Sequence, residues 1–388
     1  MNPAVMPTYG RTDVQFVRGE GVWLIDHQGE RYLDGLSGLG VVALGHANPV
    51  VAKALADQSE QLLHTSNLYR IPAQEHLAER LAKLSGMENM FFGNSGAEAC
   101  ECAIKIARMF GHQKGFSDPT IIVMDSAFHG RTMATLTATG NRKVHAGFEP
   151  LVSGFLRVPF NDVDSIEKIA NTSNQVTAIF VEPIQGEGGI QVPDADYLPK
   201  LRAICDANDW LLIVDEVQSG NARTGQYFCY QHSDILPDLV TTAKGLGNGV
   251  PIGVCLARGA AAHLFKPGNH GSTFGGNPLS CAAANAVLDE FERLEIINHA
   301  AQMGEYLQNQ FRERLAGENA VKDIRGKGLM LGIELNTPCT ELIQRAFERH
   351  LLINVTAEKV IRMLPPLIIN REEADQLCDT VCDLIRGF

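Results

Sequence analysis

The sequence predicts an α/β protein built on a mostly parallel sheet, and three observations carry that prediction. Short apolar runs of strand length recur at Met90–Phe92, Ile121–Met124, Ala178–Val181, Leu211–Val214, Leu239–Thr242 and Ile252–Leu256. The stretches between them are long enough to hold crossover helices, the connection that a parallel pair requires. With 388 residues, 45% of them hydrophobic, the chain has the apolar material to cover both faces of such a sheet and to form more than one structural unit.

Each part of the chain fits this plan. Residues 1–60 read as an N-terminal arm and part of a small domain, 61–284 as a large domain holding the sheet, and 285–388 as a helix-rich C-terminal unit around a strand at Leu329–Leu335. The N- and C-terminal segments together are expected to make the smaller α/β domain. No internal repeat, low-complexity tract or long polar linker interrupts the chain.

Charge and cysteine usage exclude several function classes. Lys and Arg total 33 against 45 Asp and Glu, a net charge of −12, which leaves no broad basic footprint for nucleic acid or anionic lipid. The nine cysteines are scattered apart from Cys100/Cys102 and Cys378/Cys382 and lack the paired C-x-x-C spacing of a zinc site. They are expected to be reduced, mostly buried thiols, with no metal bound. The first residues lack a basic stretch followed by an unbroken apolar run, and no later run nears the roughly 18–20 apolar residues of a membrane span. The expectation is a cytoplasmic protein.

Several apolar runs end directly in polar or glycine-rich residues, and in open α/β sheets ligands collect at the carboxyl ends of strands. Gly93-Asn94-Ser95-Gly96-Ala97 follows one strand and opens a helix whose Ala99, Cys102, Ala103, Ile106 and Ala107 share a face. Free N–H groups there, with Ser95 as cap and donor, suit a phosphate; a capped helix start without a ligand has the same sequence. Asp215 ends Trp210–Val214 and can hold a pyridine nitrogen protonated, cap a helix or, with Glu216, bind a metal.

Lys244 closes Asp238–Ala243 and precedes Gly245-Leu246-Gly247-Asn248-Gly249, read as a flexible loop that leaves the amine room to turn. A Schiff-base lysine must lose its proton, which a partly desolvated site promotes; a lysine beside glycine is otherwise a solvated surface group. Ser272 and Thr273, in His270–Pro278, offer two hydroxyls for a second phosphate contact or simply form a tight loop. Phe128 can stack on a planar ring and Arg131 can fork onto a carboxylate, though each also reads as core residue and ion-pair partner.

Taken together these pieces resemble the class III, or ω-amino-acid, aminotransferases, from about Thr8 to the C-terminus. The strings are HTSNLY at His64–Tyr69, NSGAEA at Asn94–Ala99, FHGRT at Phe128–Thr132, EPIQGEGG at Glu182–Gly189, DEVQ at Asp215–Gln218, AKGLGNGVPIG at Ala243–Gly253, HGSTFGGNP at His270–Pro278 and RMLPPL at Arg362–Leu367. The resemblance implies the fold-type I architecture of enzymes that use pyridoxal 5'-phosphate. It implies that Ser95, Gly96 and Ala97 hold the phosphate, that Phe128 stacks on the ring, and that Asp215 pairs with the ring nitrogen. Glu216, Val217 and Gln218 are then also cofactor contacts, and Lys244 is the residue bonded to the cofactor.

The same resemblance implies a homodimer in which Thr273 reaches the phosphate in the other protomer. Arg131 is expected to receive the carboxylate remote from the reacting amine, and Arg362 the α-carboxylate of glutamate or 2-oxoglutarate. Glu187 is the expected partner of Arg362 when no such carboxylate is present, and Ser272 is placed with these substrate contacts. Within the family the likeness is strongest to enzymes of arginine biosynthesis that act on N-acetylornithine. Leu39 stands where a tyrosine gripping a free amino group is found in ornithine-specific members, and an apolar side chain there suits an acylated amine. Ala43 replaces an expected asparagine.

Overall fold

The computed structural model describes residues 4–388, so residues 1–3 of the expected arm lie outside the described residues. The central sheet has seven strands in the order Asn89–Gly93, Gly253–Ala257, Leu239–Thr242, Leu211–Asp215, Val176–Val181, Thr120–Met124, Phe155–Val158. Gly253–Ala257 runs antiparallel to both of its neighbours, and every other pair is parallel. All six expected strands are present. Phe155–Val158 was not expected, because an edge strand whose Leu156 and Arg157 are exposed carries no apolar run.

Both faces of the sheet are covered, and alternate residues of each strand feed opposite layers. Ile121, Val123, Ala178, Phe180, Leu211 and Ile213 pack against Ala99, Cys102, Ala103, Ile106 and Ala107 of the helix Gly96–Gln113, the face expected from its spacing. Ile122, Ile179, Leu212 and Val214 point the other way, into a second core that includes Leu198, Leu201 and Cys205 of the helix Tyr197–Asn208.

The N-terminal strands Phe16–Glu20, Trp23–Asp26 and Arg31–Asp34 join Leu351–Leu352 in a four-stranded sheet, so the two ends of the chain build one unit. A second four-stranded sheet, Val321–Lys327, Met330–Leu335, Val360–Met363, Asn354–Thr356, surrounds the single strand expected in this region. Its other strands leave no apolar run in the sequence, because Val321–Lys327 is half-exposed and charged and Asn354–Thr356 is very short. The expected boundary between 284 and 285 falls inside the helix Pro278–Arg293, which packs on the helices Pro49–Ser59 and Pro72–Ser85. All nine cysteines are unpaired and buried. No helix among the described residues is long and apolar enough to cross a membrane.

Candidate active site

A cavity of about 390 Å³ opens at the carboxyl edge of the central sheet, where the chain leaves five parallel strands. Its walls include Ser95, Gly96, Ala97, Phe128, Arg131, Asp215, Val217, Gln218 and Lys244, residues drawn from positions up to 149 apart in sequence, the separation of Ser95 and Lys244. Strand direction brings them together, since each follows the end of its strand on the same edge.

Asp215 lies at the floor, 4% exposed, and four donors converge on its carboxylate. Val217 N–H and the Thr241 hydroxyl donate to Oδ1 at 3.0 and 3.1 Å; His129 Nδ1 lies 2.7 Å and the Cys100 thiol 3.4 Å from Oδ2. His129 is stacked on Phe180 with ring centroids 3.9 Å apart, which fixes its plane. Contacts on both oxygens fix the direction of this carboxyl group, which faces the cavity. His129 was missed in the sequence; its one signal was its place inside the Phe128–Thr132 string.

Lys244 does not sit in a flexible loop. It begins a 3₁₀ turn, Lys244–Leu246, with φ 45°, and its carbonyl accepts from Gly247 N–H. The turn is clamped from behind, where the Asn221 amide donates to the Thr242 hydroxyl and to the Ala243 carbonyl. Gly247 has no room for a side chain, because an added Cβ would stand 2.1 Å from the Val250 carbonyl oxygen. Ala43 lies against this turn, 3.4 Å from where a Cβ on Gly245 would be. Burial, followed by the charge of Arg362, pulls the Lys244 amine down to about 8. A left-handed backbone at a non-glycine residue is a strain typical of functional sites.

The helix start fits an anion with one correction. Ser95 caps the helix, but its hydroxyl accepts from Glu98 N–H and donates to the Glu98 carboxylate, so it is not a free donor. The backbone N–H groups of Gly96 and Ala97 remain. Gly96 must be glycine because Val217 Cγ1 would lie 2.7 Å from an added Cβ. Phe128 and Val217 line the cavity, and the Arg131 guanidinium lies 5.7 Å from the Phe128 ring centre. Arg131 has no ion-pair partner among the described residues.

Arg362 is fully buried, yet its guanidinium is paired with Glu187 at 2.5 Å, with further bonds to Asn354 at 3.0 Å and Gln218 at 3.3 Å. Glu187 itself is 40% exposed, so the partner that can leave is the acid. Three expected residues stand elsewhere. Glu216 points away from the cavity, accepting from Ser219 Oγ and Tyr230 N–H, and burial pushes its carboxyl up to about 7. Ser272 Oγ accepts from Asn94 and from Gly275 N–H outside the cavity wall. Thr273 is exposed on the same loop.

This set of groups fits pyridoxal phosphate: N–H donors for a phosphate, a buried acidic side chain for a ring nitrogen, apolar walls for the ring, and an amine with a depressed pKa. Comparison with known proteins agrees. The family model described as aminotransferase class-III matches residues 5–385. The acetylornithine aminotransferase of Nitrosomonas europaea is 56% identical over 384 residues, covering 99% of this chain and 98% of that one. The crystal structure of acetylornithine aminotransferase from Elizabethkingia anophelis superposes with a TM-score of 0.89 at 33% identity, over 98% of this chain and 96% of that one. An ornithine aminotransferase from Toxoplasma gondii, with partial occupancy of PLP at its active site, gives 0.96 at 31% identity over 99% and 92%. By sequence, fold and the arrangement of its cavity, the chain belongs to the class III aminotransferases.

Proposed function

We propose that the chain is a pyridoxal 5'-phosphate-dependent transaminase of N2-acetyl-L-ornithine. It passes the δ-amino group to 2-oxoglutarate and yields N-acetyl-L-glutamate 5-semialdehyde and L-glutamate, a reversible step of arginine biosynthesis in the cytoplasm. The observation that carries this reading is the buried Arg362 closed by Glu187, bonded to the cavity residue Gln218 and close enough for its charge to act on Lys244. An enzyme that alternates between a substrate with a carboxylate next to its reacting carbon and one without needs a cation that can be exposed and covered.

Pyridoxal phosphate, when bound, supplies the carbonyl carbon that takes up the amine and the protonated ring that draws electrons from the breaking C–H bond. The chain's own groups do the rest. Gly96 and Ala97 N–H groups would hold the phosphate, Phe128 and Val217 would flank the ring, and the Asp215 carboxyl would pair with the ring nitrogen. Lys244 Nζ, whose pKa burial lowers to about 8, accepts the proton leaving the substrate Cδ and later returns it. Arg131, without an acidic partner, binds the remote α-carboxylate of the acylated substrate. Glu187 covers Arg362 in that half of the cycle and swings away for the α-carboxylate of 2-oxoglutarate.

The functional unit in this reading is a homodimer in which Thr273 of one protomer serves the site of its partner. Leu68, Tyr69 and Phe274 are 87%, 68% and 60% exposed around Thr273, a cluster suited to burial against a second copy. The deciding assay mixes purified protein with N2-acetylornithine and 2-oxoglutarate and follows glutamate, beside parallel reactions with ornithine, N2-succinylornithine and 4-aminobutyrate. Fastest turnover of the acetylated substrate is expected; 4-aminobutyrate as the best donor overturns the substrate assignment.

A further inference from the structure

Glu182 follows the strand Val176–Val181 and is 5% exposed, yet among the described residues no cation lies within salt-bridge distance of it, although the charge of Lys244 acts on it. Its two oxygens instead accept from two distant stretches of backbone. Phe128 N–H donates to Oε1 at 2.9 Å, and Gly186 N–H donates to Oε2 at 3.2 Å. The first stretch carries the ring wall Phe128 and, three residues on, Arg131. The second leads into Glu187, whose carboxylate holds Arg362.

We infer that Glu182 is a positioning residue whose single carboxyl group ties the Phe128–Arg131 segment to the Gly186–Glu187 turn, so that cofactor wall and substrate switch share one register. The second part rests on the transaminase reading given above; the tie itself does not.

The surrounding structure supports a specific clamp. Gly186 packs so closely on Gln218, the other contact of Arg362, that a Cβ there would stand 2.3 Å from Gln218 Oε1, which leaves the turn little freedom. The neighbouring turn residue Gly188 would place a Cβ 3.0 Å from the Ser126 carbonyl oxygen, two residues before Phe128, so the two segments already lie against one another. A buried carboxyl is costly to place unless its oxygens are used, and here both accept from backbone amides that have no other partner among the described residues. Burial and the nearby Asp215 push the Glu182 carboxyl up to about 8.

The test uses amide hydrogen exchange and half-reaction kinetics on the full-length protein, with Glu182→Ala and the isosteric Glu182→Gln. In Glu182→Ala the amides of Phe128 and Gly186 are expected to exchange about tenfold faster or more, and in Glu182→Gln only one of them, since the carboxamide keeps one acceptor. Unchanged exchange at both amides overturns the clamp, whatever the substrate proves to be. In the half-reactions Glu182→Ala, which frees the Gly186 amide, is expected to lower the ratio of the KM for 2-oxoglutarate to that for the ω-amine about fivefold as Glu187 loosens from Arg362, and Glu182→Gln is expected to do the same where Gly186 is the amide it releases. Proportional loss in both half-reactions overturns the coupling. If Glu182→Ala does not fold, Glu182→Gln alone decides both points. A protein that transaminates no ω-amine at all refutes the transaminase reading and leaves the exchange result standing.

Discussion

At the scale of single residues the site is a set of ionisable groups moved from their ordinary behaviour by burial, and their roles follow from direction. Lys244 is pulled down to about 8, so a useful fraction of the amine is neutral near physiological pH. Lys244→Ala is expected to lower turnover by more than about a thousandfold and to remove the visible absorption that arises from the bond between lysine and cofactor. Circular dichroism should remain that of the folded protein; retained turnover would remove Lys244 from the mechanism. Glu216 offers a test of stability that is independent of catalysis. Its folded carboxyl is raised to about 7 from an ordinary value near 4.5, so the native state binds the extra proton in that window. The stability it contributes is present below about pH 4.5 and is lost as pH rises through about 7, an effect on the order of a few kcal/mol for a fully buried group. Glu216→Gln keeps an acceptor for Tyr230 N–H and removes the titration. Urea midpoints should therefore show the variant gaining on the parent protein between pH 5 and pH 8, and parallel pH profiles would contradict the assignment.

At the scale of elements, the site is held by close backbone approaches between a strand and a helix start. Gly253, at the beginning of the antiparallel strand, faces Ser95, and an added Cβ would stand 2.0 Å from the Ser95 carbonyl oxygen. Gly253→Ala is expected to push back the start of the helix Gly96–Gln113, with a loss of about 1–3 kcal/mol in denaturant titration. Pyridoxal phosphate affinity by equilibrium dialysis should fall in parallel, whereas Gly10→Ala, with nothing within 4 Å, should leave both unchanged. Such contacts explain what the sequence made legible. Strands with uninterrupted apolar runs and the polar residues after them could be read directly, because burial on two faces and the strand-end rule both leave marks in the order of residues. Phe155–Val158 and Val321–Lys327 could not, since half-exposed strands look like loops. The direction of Glu216 and the commitment of Ser95 to Glu98 depend on neighbours far apart in the chain or on local capping geometry, which composition does not record. His129 and Glu182 lay inside recognised strings, but their tasks are set by partners 86 and 54 residues away.

At the scale of the whole molecule, the homodimer proposed above would leave one chain an incomplete enzyme, and the placement of Thr273 makes this testable. The loop His270–Pro278 is fixed to the segment His64–Tyr69: the Asn67 amide donates to the carbonyls of Ser272 and Gly275, and His64 packs on Phe274 with ring centroids 5.5 Å apart. A loop built this firmly while presenting Leu68, Tyr69, Thr273 and Phe274 outward is shaped to be covered. A closed two-fold pair would then place each Thr273 against the other protomer's cavity. Two impaired variants make this testable. In the proposed dimer Thr273→Asp would put a negative charge beside the partner's phosphate, and Lys244→Ala removes the amine, so either homodimer would have no competent site. In a mixed dimer the protomer carrying Thr273→Asp keeps its own Lys244 and receives an intact Thr273 from the Lys244→Ala chain. One of its two sites is therefore whole. Random reassortment of equal amounts should restore roughly a quarter of the parent activity, because about half of the dimers are mixed and each has one working site. If each chain supplies its own Thr273, no pairing yields an intact site, and the mixture stays as inactive as its components.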